Sequence, residues 1–167
     1  SIFTTLACNY RCVYCFESAQ LCNTEHMTTE TADDIINFVK RKVEENNITR
    51  PITLKWFGGE PLLNFPIIEY ITNNLRNNNI EVSAMMYTNG RLLTKETALK
   101  LRDLGVNKQV VIPLDGLAPT YAKLKQCSES DFYTVIKNIQ DCQDILNIII
   151  HINVSEASKD DADELYK

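Results

Sequence analysis

Cys8, Cys12 and Cys15 place three thiols within eight residues of chain, "CNYRCVYC". A disulfide uses two thiols and a structural zinc site uses four ligands. An iron–sulfur cube has four irons, each normally held by a thiolate. Three thiolates leave one iron without a protein ligand, open to a small molecule that offers an amine and a carboxylate. A competing set exists: Cys12, Cys15, Cys22 and His26 supply four ligands of the types zinc takes. The Cys-x3-Cys-x2-Cys spacing favours the cluster over the zinc set. Cys127 and Cys142 lie far from this group and from each other, and read as structural. Six cysteines in 167 residues, four of them in the first 22, do not make a disulfide scaffold. They suggest a thiolate-bound metal in a reducing, cytoplasmic setting.

A second stretch that could do chemistry is "WFGGEPLLN", residues 56–64. Gly58 and Gly59 carry no side chain to keep a ligand off the backbone, so their carbonyls could accept from an ammonium group. The plain alternative is a strand-to-helix turn.

Those residues need a scaffold, and the pattern supplies one. "SIFTTL", "PITLKWF", "IEVSAMMYTNG", "KQVVIPLDG" and "NIIIHINV" read as five strands. Between them, "TTETADDIINFVKRKVEENN" has Ile35, Ile36, Val39 and Val43 at helical spacing behind a Thr28 or Thr29 cap. Residues 65–78 read as a second helix, with Asn64 as its cap and Pro66 in its first turn. "TKETALKLRDLG" closes on Gly105. "DFYTVIKNIQDCQDIL" and "SKDDADELYK" complete the helices. Alternating strands and helices mean parallel βαβ units in one α/β domain. In such folds the loops after strand C-termini form the ligand face, and the cysteines follow the first strand. Periodicity does not choose between a curled and a flat sheet.

Composition bounds the partners. Hydrophobic residues make up 44% of the chain, enough for a buried core, and the formal net charge is −5. Without a basic block, neither nucleic acid nor an anionic membrane surface is expected. No apolar run approaches the roughly 18 residues of a membrane span. The chain opens inside a strand and stops inside a helix, so it reads as a fragment of a longer protein.

Cys8, Cys12 and Cys15, with Tyr14 directly before the third, resemble the signature of radical S-adenosylmethionine enzymes. Gly58, Gly59, Glu60 and Pro61 match that family's GGEP motif residue for residue. "YTNGRLLT", "LDG", "DFYTVIKNIQ" and "HINVS" resemble its later strand ends and helix. The resemblance implies a parallel (β/α) partial TIM barrel, here truncated after about five strands. Residues 1–167 would be a radical S-adenosylmethionine core, lacking its last strands and any C-terminal SPASM or twitch extension. It implies a [4Fe–4S] cluster on Cys8, Cys12 and Cys15, with S-adenosylmethionine on the fourth iron. Gly58, Gly59 and Glu60 would receive the methionine ammonium beside Pro61, and Tyr14 would pack against the adenine. Asn89, Asp115, His151 and Asn153 would line the cofactor and substrate mouth. Glu17 and Trp56 are placed near that mouth without a role. The order of motifs is similar to the subgroup that modifies peptides and proteins, so a peptide or protein substrate and a reductant such as flavodoxin or ferredoxin are implied.

Four positions depart from the subgroup's pattern. Pro113 stands where a serine is usual before Leu114-Asp115-Gly116. Tyr121 and Lys125 stand where a histidine and an arginine commonly follow, and His151 replaces an arginine two residues before Asn153. Lysine keeps the charge but loses the planar fork. A domain that keeps this fold without turnover is the corresponding alternative.

Overall fold

In a computed structural model, the protein is described over residues 1–17 and 24–165. Five strands, β1 (Ile2–Phe3), β2 (Ile52–Phe57), β3 (Val82–Tyr87), β4 (Val110–Pro113) and β5 (Ile148–His151), form one sheet. All neighbours are parallel, and their order in the sheet is their order in the chain. A doubly wound sheet reverses its order at a switch point; a strictly sequential order steps one way, so right-handed crossovers fall on one face. The burial pattern agrees. On β2, Leu54 and Trp56 are buried while Thr53 and Lys55 are exposed. The sheet is therefore the curled kind, part of a (β/α) barrel.

Each expected helix forms, with different ends. Helix α1 (Thr29–Glu45) starts on Thr28, whose side chain accepts from the Thr31 amide. Helix α2 (Phe65–Asn77) follows a 3₁₀ turn at Pro61–Asn64. Asn64 precedes α2 but does not cap it through its side chain; its amide ties Thr4 and Met27 carbonyls, 2.7 and 3.1 Å away. Helix α3 (Lys95–Asp103) is capped by Thr94. Helix α4 (Ala118–Lys125) was not expected from the sequence. Helices α5 (Glu129–Cys142) and α6 (Lys159–Leu165) complete the set.

The core lies between the sheet and α1, α2, α3 and α5. Leu54, Trp56, Ala84, Met86, Val110 and Ile112 meet Ile36, Ile68, Ile71, Leu101 and Val135 there. Strand β1 is shorter than "SIFTTL": the chain leaves the ladder after Phe3, and Thr5 pairs with His26 in an antiparallel bridge. No described helix is long and apolar enough to cross a membrane.

Candidate functional site

Cys8, Cys12 and Cys15 line one cavity of about 370 Å³ at the C-terminal ends of the strands. That size suits a small-molecule site. Gly58, Gly59, Tyr14, Asn89, His151 and Asn153 line the same cavity. Glu60, Pro61 and Asp115 do not; they stand behind its wall. A larger cavity, about 950 Å³, opens at the opposite end of the strands beside Arg50, Arg76 and Lys108. It holds no thiol, so size does not locate the chemistry.

Backbone bonds hold the cysteine loop from two sides. On one side, the Gly59 and Glu60 amides donate to the carbonyls of Thr5 and Ala7, at 3.0 and 2.8 Å. On the other, the Arg11 and Val13 amides donate to the carbonyls of Lys125 and Leu124 at the end of α4, at 3.1 and 2.9 Å. The Cys15 amide turns back to the Cys12 carbonyl at 3.1 Å. The Cys8 sulfur accepts from the Tyr10 amide at 3.4 Å, and the Asn89 amide nitrogen lies 4.0 Å from it.

The Gly-Gly pair serves the chain before it serves a ligand. Gly58 has φ +131°, and a Cβ there would lie 2.3 Å from the Thr5 carbonyl oxygen. At Gly59 a Cβ would lie 2.3 Å from the Ala7 oxygen and 2.6 Å from that of Leu6. The absent side chains thus let the β2 end press against the segment leading to Cys8. Among the described residues no group donates to the Gly58 or Gly59 carbonyl.

Glu60 is fully buried, and its carboxylate faces inward. It accepts from the Leu62 amide at 3.1 Å, the Thr88 hydroxyl at 2.8 Å and the Asn89 amide at 2.8 Å. Burial pushes its pKa up to about 7 against the pull of those three donors. Its side chain fastens β2 to the end of β3.

Asp115, also expected at the mouth, is fully buried and sits behind Tyr14. Its Oδ2 meets Lys125 Nζ at 2.6 Å and accepts from the Tyr14 hydroxyl. Its Oδ1 accepts from the Asn153 amide at 3.2 Å and side-chain nitrogen at 2.8 Å. Burial works to raise its pKa, but Lys125, Tyr14 and Asn153 together hold it below the usual carboxylate range. Tyr14 still presents its ring to the cavity, with its hydroxyl spent on this pair. Trp56, placed near the mouth from sequence, is wholly inside the core; Glu17 does line the cavity.

Aromatic residues form one wall that the motifs did not announce. Phe57 packs against Phe16, Tyr87 and Phe3, with ring centroids 6.2, 5.1 and 5.2 Å away. Phe16 is 78% exposed and Tyr87 36%. Period-two alternation on β2 and β3 puts Phe57 and Tyr87 on the face away from the helices, a signal present in the sequence.

The donor set can be tested for what it would hold. Among the described residues, no three His, Cys, Asp or Glu side chains stand close enough to share one ion. Sulfurs around one tetrahedral ion would lie about 3.8 Å apart at 2.3 Å bonds. A cube gives each thiolate its own iron, so three cysteines lining one cavity can hold it without sharing an ion. His26 is exposed and lines no part of that cavity, and Cys22 lies outside the described residues. Burial pushes the Cys8 and Cys12 thiols up, with smaller repulsions from neighbouring thiols adding to it. A bound metal would displace those protons.

The sequence profile of the radical SAM superfamily matches residues 2–167. A GTP 3′,8-cyclase of Helicobacter pylori is 34% identical over 116 residues, covering 70% of this chain and 34% of that protein. The radical SAM cyclopropyl synthase TigE of Paramaledivibacter caminithermalis is 28% identical over 112 residues, 59% of this chain and 23% of that protein. Among solved structures, native anSMEcpe with bound AdoMet superposes with a TM-score of 0.70 at 22% identity, covering 88% of this chain and 41% of that one. The chain therefore spans a quarter to two fifths of the length of these proteins, and the structural likeness extends to five parallel strands of a partial barrel.

Proposed function

The chain belongs to the radical SAM superfamily, and from that premise we propose that it is the cofactor-binding core of an enzyme acting on a peptide or protein. One observation carries the reading: Cys8, Cys12 and Cys15 face Gly58, Gly59, Asn89 and Asn153 across one cavity at the strand C-termini. When bound, a [4Fe–4S] cluster and S-adenosylmethionine supply one-electron cleavage of the sulfonium, giving methionine and a 5′-deoxyadenosyl radical that takes hydrogen from substrate.

The chain's own residues would do the holding. Cys8, Cys12 and Cys15 would be the thiolate ligands of the cluster. The open carbonyls of Gly58 and Gly59 would accept from an ammonium. Asn153 lines the cavity and spends its side-chain nitrogen on Asp115. Tyr14, Phe16, Phe57 and Tyr87 give the cavity an aromatic lining.

The GTP cyclase relatives favour a second reading, a nucleoside triphosphate substrate. The cavity lining argues against it. Among the described residues that line it, Lys125 is the one lysine or arginine. Lys125 is committed to Asp115, which leaves little to neutralise a triphosphate. The aromatic wall suits an apolar side chain.

Anaerobic protein loaded with iron and sulfide, reduced in the presence of S-adenosylmethionine, tests both readings. The expected product is 5′-deoxyadenosine, accelerated by a peptide carrying apolar side chains and not by GTP, and absent in Cys12→Ala. Acceleration by GTP alone establishes the second reading. A loaded cluster with no 5′-deoxyadenosine under any condition marks a domain that kept the fold without turnover.

A further inference from the structure

Outside the thiols, the most constrained group at the site is Lys125. It is the last residue of α4, and its side chain is 2% exposed. Nζ lies 2.6 Å from Asp115 Oδ2 and 2.5 Å from the Tyr14 hydroxyl. It also sits over the rings of Tyr14 and Tyr121, 5.2 and 5.6 Å from their centroids. The last carbonyls of a helix have no partner within it. Here Gln126 adopts a left-handed conformation, φ 52°, and two of those carbonyls go to the cysteine loop. Lys125 accepts from the Arg11 amide and Leu124 from the Val13 amide, one on each side of Cys12. Main chain and side chain of one helix end thus grip the loop at Arg11, Val13 and Tyr14.

We infer that Lys125 is a positioning residue that holds the Cys8–Cys15 loop in its ligand-ready shape before any metal arrives. The inference rests on the function proposed above only for what the thiols hold. Ordering a loop costs conformational entropy. With Lys125 in place that ordering belongs to folding, not to metal binding. The Asp115 carboxylate makes the grip specific: it is fully buried, so removing the ammonium leaves an uncompensated charge that must rearrange. An arginine keeps the charge and has donors for both Asp115 and Tyr14.

Amide hydrogen exchange on the metal-free protein tests this. In the wild type the Arg11 and Val13 amides are expected to be protected about a hundredfold or more relative to an open chain. Lys125→Met is expected to speed both about tenfold or more beyond any change at Ile68 and Ile71 in α2. Lys125→Arg restores protection. The double variant Asp115→Asn/Lys125→Met strands no buried charge, so it folds where Lys125→Met does not; it too exchanges Arg11 and Val13 fast. Unprotected Arg11 and Val13 in the wild type overturn the inference. So does acceleration shared equally with α2, or full protection in the double variant. Because no metal is present, failure here leaves the cluster proposal standing, and failure to load a cluster leaves this inference standing.

Discussion

At the scale of single residues, the site separates groups that face the cavity from groups that brace it. Glu60 braces. Its folded pKa is about 7 because burial outweighs three donors, whereas an unfolded glutamate titrates near 4.3. The folded chain therefore binds the extra proton between those values, and stability falls as pH rises across that window. The full effect is about 4 kcal/mol, at about 1.4 kcal/mol per pK unit. Urea unfolding from pH 4.5 to 7.5 should show this decline, and Glu60→Gln should flatten it. Gly59 carries a different constraint. An alanine there must push its Cβ into two backbone carbonyls, 2.3 and 2.6 Å away, which cannot yield as side chains do. Gly59→Ala should cost about 3 kcal/mol or more, read as a lower urea midpoint. The GGEP motif was legible as letters. That its glycines face the chain before the cysteines, and its glutamate faces Thr88, was not, because both depend on contacts between segments far apart in sequence.

At the scale of elements, the strand and helix pattern was largely readable, and its failures have physical reasons. Strand β1 is two residues long because the Thr4 amide closes the ladder on the Phe57 carbonyl and Thr5 then pairs with His26 instead. Helix α4 carries Pro119 and Lys125 on a short span with little amphipathic contrast, so periodicity gave no signal. Its stability comes from Tyr121 in the core and from the buried Lys125–Asp115 pair. That pair gives the lysine a partner in Asp115, which the sequence placed at the mouth. Helix α5 starts at Glu129, two residues before the reading from sequence, because the Ser128 amide donates to Asp131 at 2.9 Å and closes its first turn. Asp131 also pairs with Arg91 in the loop after β3. Asp131→Ala should therefore cost about 1–2 kcal/mol, with the loss visible in thermal unfolding and larger than for Asp141→Ala, which makes an exposed ion pair to Lys137.

At the scale of the whole molecule, sequential parallel strands place every crossover helix on one face and leave the other open. The open face carries the cysteine loop, the aromatic wall and the ends of all five strands. One side of the sheet thus makes the core, and the other makes the site. The account turns on three thiolates that leave one iron for a small molecule. Electron paramagnetic resonance of the anaerobically loaded, reduced protein, with and without S-adenosylmethionine, tests that point most directly. The account predicts about four irons and four sulfides per chain and a reduced-cluster signal whose g-values move when S-adenosylmethionine is added. A spectrum unchanged by S-adenosylmethionine, or a protein that takes up a single zinc and no iron, would contradict it.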